Sequence, residues 1–109
     1  MSNYVFIESR DPFESSDVRF VVDTATSLKR KGNNVTVFLV QNGVLAVRGN
    51  ARGSHLPILA EEGIPLLADD FSLSERGIQP AEFGAGVQVS SSDALVDMLA
   101  RPDTKVIWH

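Results

Sequence analysis

Val35-Thr36-Val37-Phe38-Leu39-Val40 is the stretch of this sequence that decides the fold. It is rich in β-branched residues and almost entirely apolar, which is typical of a strand buried on both faces of a sheet. A helix is predicted just before it, from Ser16 to Lys31, because apolar residues recur there at helical spacing. The basic run Lys29–Lys31 and the following Gly32 are a typical helix end. The stretch therefore predicts a helix that leads into a buried strand.

The same alternation of strands and helices continues on both sides of this stretch. Apolar strands separated by amphipathic helices favour an α/β fold: a three-layer, flavodoxin-like arrangement in which a five-stranded, mainly parallel sheet carries helices on both faces. In the last helix we expect Leu95, Met98 and Leu99 to face inward. The further strands are predicted at Tyr4–Ile7, Ile64–Ala68, Val87–Val89 and Lys105–Trp108. The further helices are predicted at Val44–Val47, His55–Glu62 and Leu73–Arg76, and from Ser91 or Ser92 to Arg101.

Length and composition indicate one globular domain spanning residues 1–109. Of the 109 residues, 43% are hydrophobic and 22% charged, which excludes a disordered tail. No apolar run approaches the roughly 18–20 residues that span a bilayer, so no membrane association is expected. The start, Met1–Tyr4, lacks the features of an export signal, and we expect a cytoplasmic protein.

The chain contains no cysteine, which excludes disulfide scaffolds, thiolate–metal sites, iron–sulfur clusters and thiol nucleophiles. With two histidines, His55 and His109, a histidine-rich metal centre is also not expected. The formal net charge of −4 and the lack of a basic stripe argue against nucleic acid as a partner. Composition alone therefore predicts no metal and no cofactor.

In a parallel α/β sheet, ligands bind beyond the carboxyl ends of the strands, so candidate residues are sought there. Asp69 and Asp70 are the most suggestive pair, since adjacent carboxylates can hold Mg²⁺. The competing interpretation is that one of them caps the next helical turn while the other is solvated. Glu8 is expected in a solvated loop. The candidate ligand-binding residues are Ser9, Arg10, Gln41, Asn42, Asp69, Asp70 and Ser72.

Three further features of the sequence lead to expectations about structure or binding. The glycine-containing segment Gly49–His55 is either an anion-binding loop before a helix or an ordinary loop. Trp108, on the last strand, either closes the edge of the core or contributes to a subunit interface. His109 is expected to fray. The sequence lacks the G-x-S-x-G elbow of serine hydrolases, and no residue is assigned a catalytic role.

The order of these elements resembles the DsrE/DsrF family of small sulfur-relay proteins, which includes the Tus subunits and YchN-like proteins. The likeness covers nearly the whole chain and rests on Gly32–Leu39, on Gln41–Val44, and on Ser72 followed by Arg76-Gly77-Ile78. The ending Ile107–His109 is similar to the TusB/DsrH-like branch. The resemblance implies a five-stranded parallel sheet and assembly into trimers or hexamers.

The resemblance also implies a cysteine at the end of the third strand, eight residues before the glycine of the Arg76-Gly77 pair. That position is Asp69 here. A carboxylate cannot carry a persulfide, so a non-catalytic subunit or small-ligand-binding protein is expected. It would form a homo-oligomer or join a cysteine-bearing paralogue. The alternative is an enzyme or a metal- or anion-binding protein that uses Asp69, Asp70 and Ser72.

Overall fold

The computed structural model describes residues 2–11, 18–48, 56–84 and 86–109, and in these ranges five parallel strands form one sheet. The strand order is β4-β3-β2-β1-β5. The α/β fold predicted from the sequence is therefore confirmed, and the sheet is parallel throughout these strands. The strands are β1 (Asn3–Glu8), β2 (Asn34–Leu39), β3 (Leu66–Asp69), β4 (Val87–Ser90) and β5 (Thr104–Trp108).

The helices connect these strands in the predicted order, but they begin and end at other residues than predicted. The predicted start of the first helix at Ser16 and the segment Gly49–His55 lie outside the described residues. Ser91 caps the last helix, where its side chain accepts a hydrogen bond from the backbone N–H of Ala94. The described helices are α1 (Val18–Arg30), α2 (Pro57–Glu61), α3 (Asp70–Glu75) and α4 (Ser92–Leu99), together with 3₁₀ helices at Gln41–Val47 and Pro80–Glu82.

The two faces of the sheet are covered very differently. Right-handed crossovers place α1, α2 and α3 on one face, while the long return from β4 to β5 places α4 on the other. The first face holds the main core, in which α1 and α2 pack against alternate strand residues. Central members of this core include Phe6, Val22, Val37, Leu59 and Ala68.

On the second face, α4 leaves much apolar surface in contact with solvent. Leu95 and Met98 are half-buried as expected, but Leu99 is 36% exposed, so its predicted inward position is wrong. The place of α4 in the fold explains this, because among the described elements it packs mainly on β5, which is an edge strand. Val96, Val106 and Trp108 are also exposed, Trp108 by 65%. We call Val96, Leu99, Val106 and Trp108 the α4–β5 patch.

Candidate functional site

The carboxyl edge of the sheet brings together polar residues from four neighbouring strands. β3, β2, β1 and β5 are consecutive in the sheet, and they end at Asp69, Leu39, Glu8 and Trp108. The residues at and just after these ends lie side by side because parallel strands finish at the same edge. They divide into two hydrogen-bonded groups, one around Asp69 and one around Glu8.

Asp69 closes β3 and caps α3. Its Oδ2 accepts hydrogen bonds from the backbone N–H of Ser72 at 2.9 Å and from the Ser72 hydroxyl at 2.7 Å. Asp69 is 8% exposed and Ser72 4%, so water competes little for these bonds. The carboxylate thus satisfies a free backbone donor in the first turn of α3, which is the role of an N-cap.

Ser72 also links Asp69 to the end of β2. Its hydroxyl donates to Asp69 and accepts a hydrogen bond from the backbone N–H of Gln41 at 2.9 Å. Gln41 has a φ of +50°, in the left-handed region that residues with a Cβ rarely adopt. This turn directs the amide toward Ser72, so the strained backbone and the buried hydroxyl support each other.

Gly43 allows the following 3₁₀ helix to lie directly against β1. A Cβ at this position would lie 2.2 Å from the carbonyl oxygen of Glu8. No side chain fits in that space, because the obstacle is backbone. The glycine therefore fixes how closely the Gln41–Val47 helix approaches the carboxyl end of β1.

Arg76 joins Asn42 to the group around Asp69. Its Nη1 donates to the backbone carbonyl of Ser72 at 3.2 Å, while Nε and Nη2 donate to Asn42 Oδ1 at 3.2 and 3.1 Å. Arg76 was not among the candidate site residues, although it belongs to the Arg76-Gly77-Ile78 motif. The sequence did contain one signal for it: Arg76 lies four residues after Ser72, a spacing that places two residues on the same face of a helix.

The second group centres on Glu8, whose expected place in a solvated loop is wrong. Glu8 is the last residue of β1 and is 2% exposed. Its Oε1 accepts a hydrogen bond from the backbone N–H of Arg10, and its Oε2 lies 2.8 Å from His109 Nδ1. A buried carboxylate is tolerated because both of its oxygens have partners.

His109 extends the edge of the sheet, and the expectation that it frays is also wrong. Its backbone N–H donates to the carbonyl of Ile7 at 2.8 Å, and its carbonyl accepts from the N–H of Ser9 at 2.8 Å. The Ser9 hydroxyl donates to the same carbonyl at 3.0 Å. Three backbone and side-chain contacts therefore hold this residue beside β1.

The candidate residues fall into different places at this edge. Gln41, Asn42, Asp69 and Ser72 share one network through Arg76, and Ser9 belongs to the group around Glu8. The Arg10 side chain is exposed. Asp70 is exposed as well, accepts a hydrogen bond from the N–H of Phe71, and borders a pocket of about 220 Å³ beside α3.

The polar groups around Asp69 are engaged in hydrogen bonds within the fold. The Ser72 hydroxyl has both a donor and an acceptor partner. Asp69 and Asp70 do not act together, since the first is buried against Ser72 and the second is exposed. Among the residues that the structure describes, no three histidine, aspartate or glutamate side chains converge as they would to hold a metal ion.

A parallel sheet flanked by helices, with polar residues at its carboxyl edge, defines a small α/β domain. The chain belongs to the DsrE/DsrF-like family, whose model matches residues 2–108. The predicted family is thereby confirmed. In the described part of the chain, no helix is long and apolar enough to cross a membrane.

Two solved structures share the fold over the full length of both chains. The ychN protein from E. coli superimposes with a TM-score of 0.87 at 21% identity. MTH1491 from Methanobacterium thermoautotrophicum, a protein of unknown function, gives 0.83 at 20% identity. No curated protein matches the sequence significantly. At this level of identity the likeness concerns the fold.

Proposed function

We propose that this protein is a non-catalytic DsrE/DsrF-like subunit, which assembles with other chains or binds a small ligand but does not carry a persulfide. The observation that carries the proposal is the state of Asp69. The resemblance to the family implies a cysteine at this position, and here a carboxylate occupies it and caps α3 through Ser72.

A carboxylate cannot replace a thiolate in sulfur transfer. A persulfide forms when a thiolate attacks or accepts sulfane sulfur, and the sequence has no cysteine to supply one. The residues around Asp69 nevertheless form an ordered hydrogen-bonded group. Ser72 is buried, and Gln41 has a left-handed backbone conformation in which its N–H donates to the Ser72 hydroxyl. A domain that retains this scaffold without the thiol is suited to support another chain's chemistry.

The α4–β5 patch supports an assembly role. Val96 is 61% exposed and Trp108 65%, while Val106 and Trp108 lie on the same face of edge strand β5. Clustered exposed apolar residues that include tryptophan are typical of protein interfaces. We therefore propose a homo-oligomer, a trimer or a hexamer, or a hetero-oligomer with a cysteine-bearing paralogue. Such a partner needs a reduced thiol, which favours the cytoplasm.

The loss of sulfur chemistry is tested by restoring the thiol. Wild type, Asp69→Cys and Ser74→Cys are incubated with a sulfane donor and examined by mass spectrometry for added sulfur. Ser74 is exposed on α3, so its variant controls for a thiol at an ordinary surface position. We expect no adduct on wild type and a more readily formed persulfide on Asp69→Cys than on Ser74→Cys. Sulfur bound covalently by wild type would overturn the proposal.

Assembly is tested by light scattering coupled to size-exclusion chromatography. The purified chain alone is expected to elute as a trimer or hexamer if it forms a homo-oligomer. A chain that is monomeric alone should shift to a larger complex when a cysteine-bearing family member from the same source is added. A monomer at high concentration that also ignores such a partner would contradict the assembly role.

A further inference from the structure

A second polar cavity lies at the opposite edge of the sheet, where the strands begin. It has a volume of about 290 Å³ and is open to solvent. Two cationic side chains, Lys29 and Arg101, line it, and no aspartate or glutamate among the described residues does. The other polar lining residues are Asn3, Tyr4, Asn34, Thr36 and Thr104. The cavity thus has a positive lining in a chain whose net charge is −4.

The two cations reach the cavity from opposite faces of the sheet. Lys29 lies in the last turn of α1, and Arg101 follows the end of α4. In the described ranges neither side chain forms an ion pair. Glu62, beside the lining residue Gly63, is already engaged by Arg30, whose Nε donates to Glu62 Oε2 at 3.3 Å. Both cations of the cavity are therefore free of ion pairs within the described residues.

Thr104 lines the cavity, but not through its hydroxyl. The hydroxyl has no hydrogen-bond partner among the described residues and presents almost no surface to solvent, so a ligand in the open cavity does not reach it. Thr104 opens β5 and lies opposite Asn3 in the register with β1. The Asn34 side chain nearby donates to Asn3 Oδ1 at 2.9 Å, so these amides are ordered beside the hydroxyl.

We propose that this cavity binds a small phosphate group, either free phosphate or a small phosphomonoester. An arginine fork and a lysine ammonium are the side chains that proteins use most for this group. Together, the two cations match the charge of a doubly charged tetrahedral oxyanion. The volume is at the lower end for ligand sites, which suits a small molecule. This site is separate from the Asp69 edge and does not depend on the role proposed for it.

Calorimetric titration of the full chain with inorganic phosphate and with glycerol phosphate tests the site. Ionic strength is held constant with chloride, because surface electrostatics are screened by salt. Lys29→Gln and Arg101→Gln should each raise the dissociation constant about tenfold or more. Lys31→Gln is the matched control, since Lys31 is a cation near the same helix end that does not line the cavity. It should leave the dissociation constant unchanged.

Thr104→Val is a second control, because it removes a hydroxyl that does not reach the cavity. Since this hydroxyl has no partner among the described residues, the substitution should leave the stability of the free protein equal or slightly raised. It should also leave the dissociation constant for phosphate unchanged. Saturable binding of either probe, lost in Lys29→Gln and Arg101→Gln and kept in Lys31→Gln and Thr104→Val, supports the proposal. No saturation with either probe at millimolar concentrations, or equal affinity in all variants, overturns it.

Discussion

Glu8 and His109, which are 101 positions apart in the sequence, meet at the carboxyl edge of the sheet with 2.8 Å between Glu8 Oε2 and His109 Nδ1. The carboxylate is 2% exposed, while the histidine ring keeps some contact with solvent. The pair joins β1, a central strand, to the end of β5, an edge strand. We call this contact the Glu8–His109 clasp.

Removal of the clasp should destabilise the fold. Glu8→Ala removes the acceptor of the Arg10 N–H and the carboxylate beside the His109 ring, and it is expected to lower the free energy of unfolding by about 2 kcal/mol. Urea denaturation measures this. Glu61→Ala, at an exposed glutamate on α2, is the control and should change the free energy by less than about 0.5 kcal/mol.

A double-mutant cycle with His109→Ala isolates the contact itself. If the clasp stabilises the protein, the two single effects and the double effect should differ from additivity by more than about 0.5 kcal/mol. Additive effects would mean that Glu8 acts through Arg10 and its own burial, and not through His109.

Asp69 should behave as a helix cap when it is replaced. Asp69→Ala removes the acceptor for two Ser72 hydrogen bonds and should cost about 1–2 kcal/mol of unfolding free energy. Asp69→Asn keeps an acceptor oxygen and should cost less. The neighbouring Asp70→Ala, at an exposed position, serves as the control.

Thermal denaturation with and without Mg²⁺ separates the cap from a metal site. We expect that Mg²⁺ changes the melting temperature of neither wild type nor Asp69→Asn. A stabilisation by Mg²⁺ that is specific to wild type would instead support the interpretation of Asp69, Asp70 and Ser72 as a metal-binding group.

Gly43→Ala should be among the most damaging single substitutions. The new Cβ would overlap the Glu8 carbonyl oxygen, at 2.2 Å, and the 3₁₀ helix or β1 would have to move. The expected loss is about 3 kcal/mol or more, measured by urea denaturation. Gly32→Ala is the informative contrast: its surroundings are open and its cost, from a φ of +89°, should stay near 1 kcal/mol.

The fold was predictable because its signals are local and repeated. The run Val35–Val40 predicts a buried strand, and the boundaries of β2 agree with it within one residue. Likewise, Ser91 before the last helix and Asp69 before α3 are residue types that favour caps. Each of these predictions needs only a few neighbouring residues, so no knowledge of the tertiary structure is required.

The site was predictable only in part, because its contacts join distant segments. We could expect that the strand ends lie at one edge of the sheet, and the Gln41 N–H does donate to the Ser72 hydroxyl there. Glu8 looked solvated because a glutamate at the end of an apolar run usually is. Its partner His109 approaches through strand pairing between the two ends of the sequence. Local patterns contain no information about such a pairing.

The α4–β5 patch gives a direct prediction about assembly. Trp108→Ala should leave the urea midpoint of the isolated chain nearly unchanged, since the side chain is 65% exposed. It should shift the oligomer toward smaller species in light scattering, because buried tryptophans often dominate interface energies. Phe20→Ala is a matched control, as Phe20 is 63% exposed on α1, across the sheet. An equal effect of both variants would contradict the assignment of the patch.

The ion pair between Arg30 and Glu62 predicts a small acid-dependent loss of stability. The hydrogen bond that Arg30 donates to Glu62 lowers the pKa of Glu62 from its usual value. The folded state then binds this proton less readily than the unfolded state. The stabilisation is therefore present above the usual glutamate pKa of about 4.3 and is lost as the pH falls through the lowered value.

Arg30→Gln should remove this pH-dependent contribution to stability. The difference in urea midpoint between wild type and variant is expected to be larger at neutral pH than at acidic pH, and to shrink in high salt. A difference that grows on acidification would show that Arg30 contributes through something other than Glu62.

The last crossover, from β4 across the sheet to β5, has a consequence for local unfolding. α4 and β5 follow the other strands in the sequence, and β5 lies at the edge of the sheet beside β1. Such a segment is expected to open at a lower free energy than the central strands, and its amides to exchange with solvent sooner. The Glu8–His109 clasp then acts as a latch on this opening unit, and a partner seated on the patch would slow its exchange further.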